Sequence, residues 1–174
     1  MRTVKMLIAI NLLLIFALGI AGQDKSAGSL GIWTSKKISR VAGGDINSEF
    51  KEIRAAKQNG FDRFTVEFKG DLPNWEVGYV KAPIPFSESG EHLKIDGKAF
   101  VVVAFSVVPY PDSPPEKFVL EFPAEKLKLL VINEIKNSDW FEGYLSFAVG
   151  LKEKKLYRVR ELSKPARLVI DFKH

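Results

Sequence analysis

Apolar and polar residues alternate along most of this chain. Phe64, Val66 and Phe68 alternate with Arg63, Thr65 and Glu67, and Leu168, Ile170 and Phe172 alternate with Arg167, Val169 and Asp171. A period of two sends successive side chains to opposite faces of a strand, so both segments predict strands with one buried face. Phe50 to Ala56 reads as an earlier strand, although FKEIRAAK also has helix-forming composition. Gln58-Asn59-Gly60 supplies a tight turn into the strand over 61–68. After a turn at Gly70 to Asn74, Trp75, Val77 and Tyr79 define the inner face of a third strand, which Pro83 and Pro85 end.

The run AFVVVAFSVV, from Ala99 to Val108, is apolar on both parities. It predicts a strand that is central in its sheet or buried on both faces. The Asp96-Gly97 turn before it predicts a hairpin of 92–95 against 100–108. PYPDSPPEKF holds Pro109, Pro111, Pro114 and Pro115 and must be a surface loop. Phe122-Pro123-Ala124 to Leu127 predicts a helical turn, and 129–136 a strand with Val131 and Ile135 on one side and Leu130 and Ile132 on the other. Asn137-Ser138-Asp139 is expected to break that strand. Segments 142–150, 157–162 and 167–172 complete a meander.

No segment sustains a helical period, so the chain is all-β. The fold expected is a two-layer antiparallel β-sandwich whose inner faces come from Phe64, Val66, Phe68, Val77, Val103, Phe105, Leu145, Phe147, Val149, Leu168 and Ile170.

The N-terminus adds an address. Arg2 and Lys5 precede an uncharged run from Met6 to Ile20, and small residues follow at Ala21 and Gly22. This is the pattern of a secretory signal peptide over 1–21. An uncleaved anchor is the alternative, but the run is shorter than the ~20 residues a spanning helix needs, and Asn11 interrupts it. Residues 22–47 are rich in Ser, Gly and Lys and read as a short linker, leaving one domain over 48–174. Trp33 is the exception in the linker, because a free indole exposes a large apolar surface. It is expected to tuck against the edge of the domain, with ligand binding as the alternative.

Charge and chemistry narrow the function. The formal charge of +5 includes Arg2 and Lys5, and basic and acidic residues intersperse along the rest of the chain. That pattern argues against nucleic acid as a partner. With no cysteine, there is no lipid-modified cysteine, disulfide or thiolate site. His92 and His174 alone make a poor metal centre, and no serine lies in a G-x-S-x-G turn. Carboxylates suited to glycosidase chemistry are as abundant as in any domain. No catalytic residue, metal or cofactor is therefore assigned.

Several motifs together carry a resemblance: Gly60-Phe61-Asp62-Arg63, Trp75-Glu76-Val77-Gly78-Tyr79-Val80, Phe141-Glu142-Gly143, Tyr157-Arg158-Val159, and Lys164-Pro165-Ala166-Arg167-Leu168-Val169-Ile170-Asp171. From about Ala55 to His174 the chain resembles the AMIN-like domain, a small all-β module of secreted and envelope-attached bacterial proteins. The related AMIN domain is a β-sandwich joined to cell-wall amidases and secretins, where it localises its host by binding peptidoglycan or other envelope components. The resemblance implies an exported, non-enzymatic module of the periplasm or cell envelope, with a cell-wall polymer as partner or, alternatively, an envelope protein paired through a sheet edge.

Two candidate surfaces follow. Arg158, Arg160 and Arg167 share the outward parity of the last two strands, and guanidinium groups bind carboxylates through paired hydrogen bonds. The competing reading is a cross-strand ladder with Asp171 and Glu161. Trp140, in NSDWFEG, offers a flat face to a sugar ring or, alternatively, plugs one end of the sandwich. The N-terminal pattern predicts that protein isolated from its native host begins close to Gly22 and lies outside the cytoplasm. Intact mass is the check, and Met1 to Ala21 retained in the bulk of molecules would favour the anchor.

Overall fold

The computed structural model describes residues 31–86, 91–111 and 118–174. The expected signal peptide, the first part of the linker, and Pro114 and Pro115 of the proline-rich loop lie outside the described residues. Within them there are strands and no helix. In chain order the strands are β1 (Ile38–Arg40), β2 (Ser48–Gln58), β3 (Phe61–Gly70), β4 (Asn74–Val80), β5 (Pro85–Phe86), β6 (Glu91–His92), β7 (Ala99–Ser106), β8 (Glu121–Phe122), β9 (Ile132–Phe141), β10 (Tyr144–Leu151), β11 (Tyr157–Ser163) and β12 (Ala166–Lys173).

They form an antiparallel sandwich. One sheet has the order β1-β4-β7-β10-β9-β8, the other β11-β12-β3-β2, and β5 and β6 make a separate small ribbon. Local chemistry explains the hairpins. Asn59-Gly60 joins β2 to β3, with Gly60 at φ 83°. Glu142 and Gly143, at φ 46° and 80°, make the two-residue turn between β9 and β10, where consecutive left-handed residues match the strand twist. Lys164-Pro165 joins β11 to β12.

Alternation sets the core. The residues predicted for the inner faces are buried, except Tyr79, which is partly buried and packs against the core. Phe147 packs its ring on Phe50 and Phe64, each with centroids 5.9 Å away, and Phe68 meets Phe105 edge-on at 4.9 Å across the sheets. β11 contributes as strongly: Tyr157 is fully buried and its hydroxyl shares its one proton between the Lys36 and Val77 carbonyls, 2.7 and 3.0 Å away. Burial, with a smaller contribution from neighbouring Tyr79, pushes the Tyr157 phenol up to about 12.

Four expectations are corrected. First, the linker is not free chain from residue 31 onward. Thr34 bridges to Tyr157 beside β11, and β1 then pairs with β4 in the opposite sheet, so residues 31–40 stitch the two sheets together. Trp33 tucks against the domain edge.

Second, segment 92–95 does not pair with β7. The neighbours of β7 are β4 and β10, and β6 pairs instead with β5. The chain from Ile95 to Lys98 crosses β10, where the Asp96 amide donates to Glu134 Oε2 at 2.5 Å and the Lys98 amide to the Leu151 carbonyl at 2.7 Å. Gly150 permits this crossing, because a Cβ there would collide with the Asp96 carbonyl oxygen. Ile84, just before β5, and Ala148 on the outer face of β10 are buried, yet neither belongs to the core between the sheets. β7 is central, with Val101, Val103 and Phe105 fully inside and its other parity half-exposed.

Third, Asn137-Ser138-Asp139 does not break β9. A register shift leaves Ser138 as an extra residue between the pairs Phe147 with Asn137 and Ser146 with Asp139. The Asn137 amide ties the bulge by donating to the Asp139 and Ser146 carbonyls, both at 2.9 Å. Fourth, a second shift near Gly150 and Leu151 inverts parity, so Ile132 joins Ile135 in the core instead of opposing it.

The Phe147 contacts generate a stability prediction. Phe147→Ala should cost about 3–5 kcal/mol in urea denaturation. A loss below about 1 kcal/mol would be inconsistent with this packing.

Candidate functional site

The outer face of the four-stranded sheet is built from rows of directly opposed residues. One row is Arg158, Asp171, Arg63 and Ala56; the next is Arg160, Val169, Thr65 and Arg54; a third is Leu162, Arg167, Glu67 and Glu52. The register places an arginine on both sides of Asp171. Arg63 donates to it through Nε at 2.7 Å and Nη2 at 3.1 Å, Arg158 through Nε at 2.9 Å, and Arg160 through Nη2 at 3.2 Å.

Asp171 is 0 % exposed although it lies on an outward parity. Three guanidiniums cover its oxygens, and Val169 beside it is buried as well. A buried carboxylate is tolerated only when its oxygens are saturated by such partners. The positive charge is in excess around it. Burial, together with neighbouring Arg63 and Arg158, pulls the Arg160 guanidinium below its ordinary value against the opposing effect of Asp171. Its Nε is buried without a hydrogen-bond partner among the described residues.

An aromatic clamp holds this cluster from the side. The Arg158 guanidinium lies 4.5 Å from the Trp33 ring centroid and 4.9 Å from that of Phe61, and Arg63 lies 5.1 Å from Phe61. Cation–π attraction therefore joins the segment before β1 to the arginine face.

Further along the face, Glu67 is 3 % exposed and accepts from Lys51 and Arg54, each at 2.6 Å. Lys51 is the extra residue of a register shift between Phe50 and Glu52. The hydrogen bond from Lys51, followed by that from Arg54, holds the Glu67 carboxyl below the usual glutamate range despite its burial. Glu67 in turn raises the Arg54 guanidinium.

Arg158 and Arg160 thus share one carboxylate. Arg167 occupies the same face but donates only to the Pro165 carbonyl at 3.3 Å, with no carboxylate at ion-pair distance among the described residues. Glu161 is not part of the ladder: it is opposed to Leu168 on the inner parity and accepts from Trp75 Nε1 at 2.6 Å and Arg40 at 3.3 Å. Trp140 is remote from the arginines and lies in β9 rather than in a turn. Half-buried, it donates to the Val108 carbonyl at 3.2 Å and packs against Phe50, Phe118 and Tyr110.

Sequence reasoning missed Arg63, the principal partner of Asp171, and the Glu67 pair. Both sets had outward parity, but linking them required the pairing of β3 with β12 and β2. For the histidines, His92 lies in β6, and His174 Nε2 sits 2.9 Å from Asp62 Oδ1. Among the described residues no three His, Cys, Asp or Glu side chains are grouped to hold a metal ion.

The class defined by this geometry is a helix-free antiparallel sandwich with a charged sheet face. Residues 48–174 match the AMIN-like domain model, and the chain belongs to the AMIN-like domain family. Members occur in envelope and periplasmic proteins and are generally non-catalytic binding modules. No curated protein matches the chain.

The Glu67 geometry predicts an acid dependence. A carboxyl lowered in the folded state contributes stability that is present above its unfolded pKa of about 4.3, and that is lost as pH falls through the lower folded value. Glu67→Gln should therefore be less stable than the parent near neutrality, and the gap in urea midpoint should narrow below about pH 4. A gap independent of pH would show that the ion pairs contribute nothing.

Proposed function

We propose that this protein is an exported, non-enzymatic cell-envelope module that binds an anionic wall polymer, peptidoglycan first among them, through the arginine face of its four-stranded sheet. The observation that carries this reading is the imbalance of charge on that face. Arg63, Arg158 and Arg160 surround a single carboxylate, and Arg167 has none among the described residues. Guanidinium donors left over after Asp171 is saturated suit further carboxylates. Export rests on the N-terminal pattern of charged, apolar and small residues. Trp140 is the second candidate surface, but its indole N–H and much of its ring are occupied by Val108, Phe50 and Phe118.

Pairing with an envelope protein through a sheet edge is the alternative. Among the described residues, β2 has β3 on one side and no strand on the other. Its bulge at Lys51 and its lysines are features that blunt an edge against pairing, which ranks this reading second.

Purified insoluble peptidoglycan provides the test. Removing Arg158 and Arg160 together would strip buried Asp171 of two partners and confound binding with folding. Arg160→Gln with Arg167→Gln leaves Arg63 and Arg158 on Asp171. This double variant should retain its melting temperature within a few degrees, bind several-fold less wall material, and lose part of the parent's salt sensitivity. Trp140→Phe should bind like the parent. Parent-like binding by the arginine variant would remove the arginine face as the site, and loss of binding in Trp140→Phe would transfer the role to the tryptophan.

A further inference from the structure

β4, β7 and β10 come together at one end of the six-stranded sheet, with Val80 opposed to Phe100 and Ala99 to Leu151. A solvent-open groove of about 460 Å³ lies there. Lys81, Lys98 and Lys154 line it over an apolar floor that includes Tyr79, Val80 and Phe100, and no carboxylate of the described residues belongs to the lining. The three lysines come from separate stretches of chain: just after β4, just before β7, and the turn between β10 and β11.

That turn is fixed in place. The Tyr79 hydroxyl donates to the Lys155 carbonyl and accepts from the Lys155 amide, and Lys154 Nζ lies 5.0 Å from the Tyr79 ring centroid. Lys81, Lys98 and Lys154 are exposed, and none has a carboxylate at ion-pair distance among the described residues. Lys152, in the same turn, adds another ammonium, whose hydrogen bond goes to the neutral Leu129 carbonyl at 2.5 Å. Acidic neighbours do not cancel this charge. Glu153 is ion-paired with Lys155 at 2.8 Å and Glu134 with Lys136 at 2.9 Å, which leaves Asp96 as the one acid of the segment that crosses β10.

We infer that this groove and the β10–β11 turn dock on a membrane surface of acidic phospholipid. A lysine ammonium is a compact point charge that binds phosphate without the paired geometry an arginine offers a carboxylate, so this end differs in ligand from the arginine face. Apolar side chains decide the source of the phosphate. Val80 in the groove and Leu156 directly after Lys155 are 38 % and 41 % exposed. At a lipid headgroup layer they enter the apolar boundary while the lysine stems reach back to the phosphates. A soluble phosphate polymer would answer the charges and leave Val80 and Leu156 in water.

Vesicle sedimentation tests this, using protein isolated from its native host and vesicles of phosphatidylglycerol and phosphatidylcholine in equal parts. The parent should bind them, release as salt approaches about 1 M, where the Debye length is about 3 Å, and bind pure phosphatidylcholine roughly tenfold more weakly or worse. Each lysine at such a surface is worth about fivefold in affinity. Lys81→Gln with Lys98→Gln, two side chains with no hydrogen-bond partner among the described residues, should therefore bind roughly tenfold more weakly or worse while the melting temperature stays within a few degrees. Lys69→Gln with Lys164→Gln removes the same charge from the opposite end of the sandwich and should bind within about twofold of the parent. Equal binding to phosphatidylcholine would overturn the inference and assign attachment to the apolar N-terminal run. Parent-like binding by the Lys81 and Lys98 variant, an equal loss in the opposite-end variant, or equally tight binding of soluble poly(glycerol phosphate) would overturn it too. Peptidoglycan binding by the Lys81 and Lys98 variant should match the parent, so this inference and the arginine-face reading can each fail alone.

Discussion

Contact between two apolar faces is what the whole molecule depends on. With no cysteine in the chain and no helix among the described residues, neither a covalent staple nor a helical layer shields the sheets. Each sheet can hide its inner parity only against the other. Phenylalanine dominates that contact, and Phe50, Phe64, Phe68, Phe105 and Phe147 touch in a connected chain of rings spanning both layers. Every polar arrangement on the outside inherits its geometry from this packing. Fixing Phe64 and Ile170 inward, opposite one another, obliges Arg63 and Asp171 to meet outward.

The two open sides of the sandwich are closed by different means. On one side, residues 31–40 pass from β11 to β4, and Tyr157 binds backbone carbonyls from this segment and from β4. On the other, Phe118 and Trp140 pack against Phe50. An indole thus seals one margin, and a second indole, Trp33, braces arginines at the other. Position in the sandwich explains why two tryptophans, each open in the sequence to packing or to ligand binding, make such different contacts.

Periodicity made the strands and their buried parity legible because a half-buried strand must alternate. It failed where alternation is interrupted. The bulge at Ser138 keeps a strand continuous through residues typical of a turn, and the shift near Leu151 puts Ile132 and Ile135 on one side. Ile95-Asp96-Gly97-Lys98 has turn composition, yet its course is set by the space above Gly150, a tertiary feature invisible in local sequence. The arginine face was half legible for a similar reason. Arg158, Arg160 and Asp171 lie in one hairpin, so their meeting needed only local pairing, whereas Arg63 reaches Asp171 across 108 positions of chain. Glu161 was misread although alternation alone is decisive for it: it shares the parity of Tyr157 and Val159 and so faces away from Arg158 and Arg160.

The path of residues 31–40 separates two units that are usually assumed to coincide. The recognisable domain begins at residue 48, but the folded body begins at least as early as Gly31, whose amide donates to the Val159 carbonyl at 2.8 Å. A chain cut at the family boundary would keep every matched residue and still bare the edge of β4, leave Tyr157 without its Lys36 acceptor, and uncover one flank of Arg158. Fusions or excised modules drawn at that boundary would test a weakened sandwich with a newly sticky margin, and self-association measured on them would belong to the cut rather than to the protein.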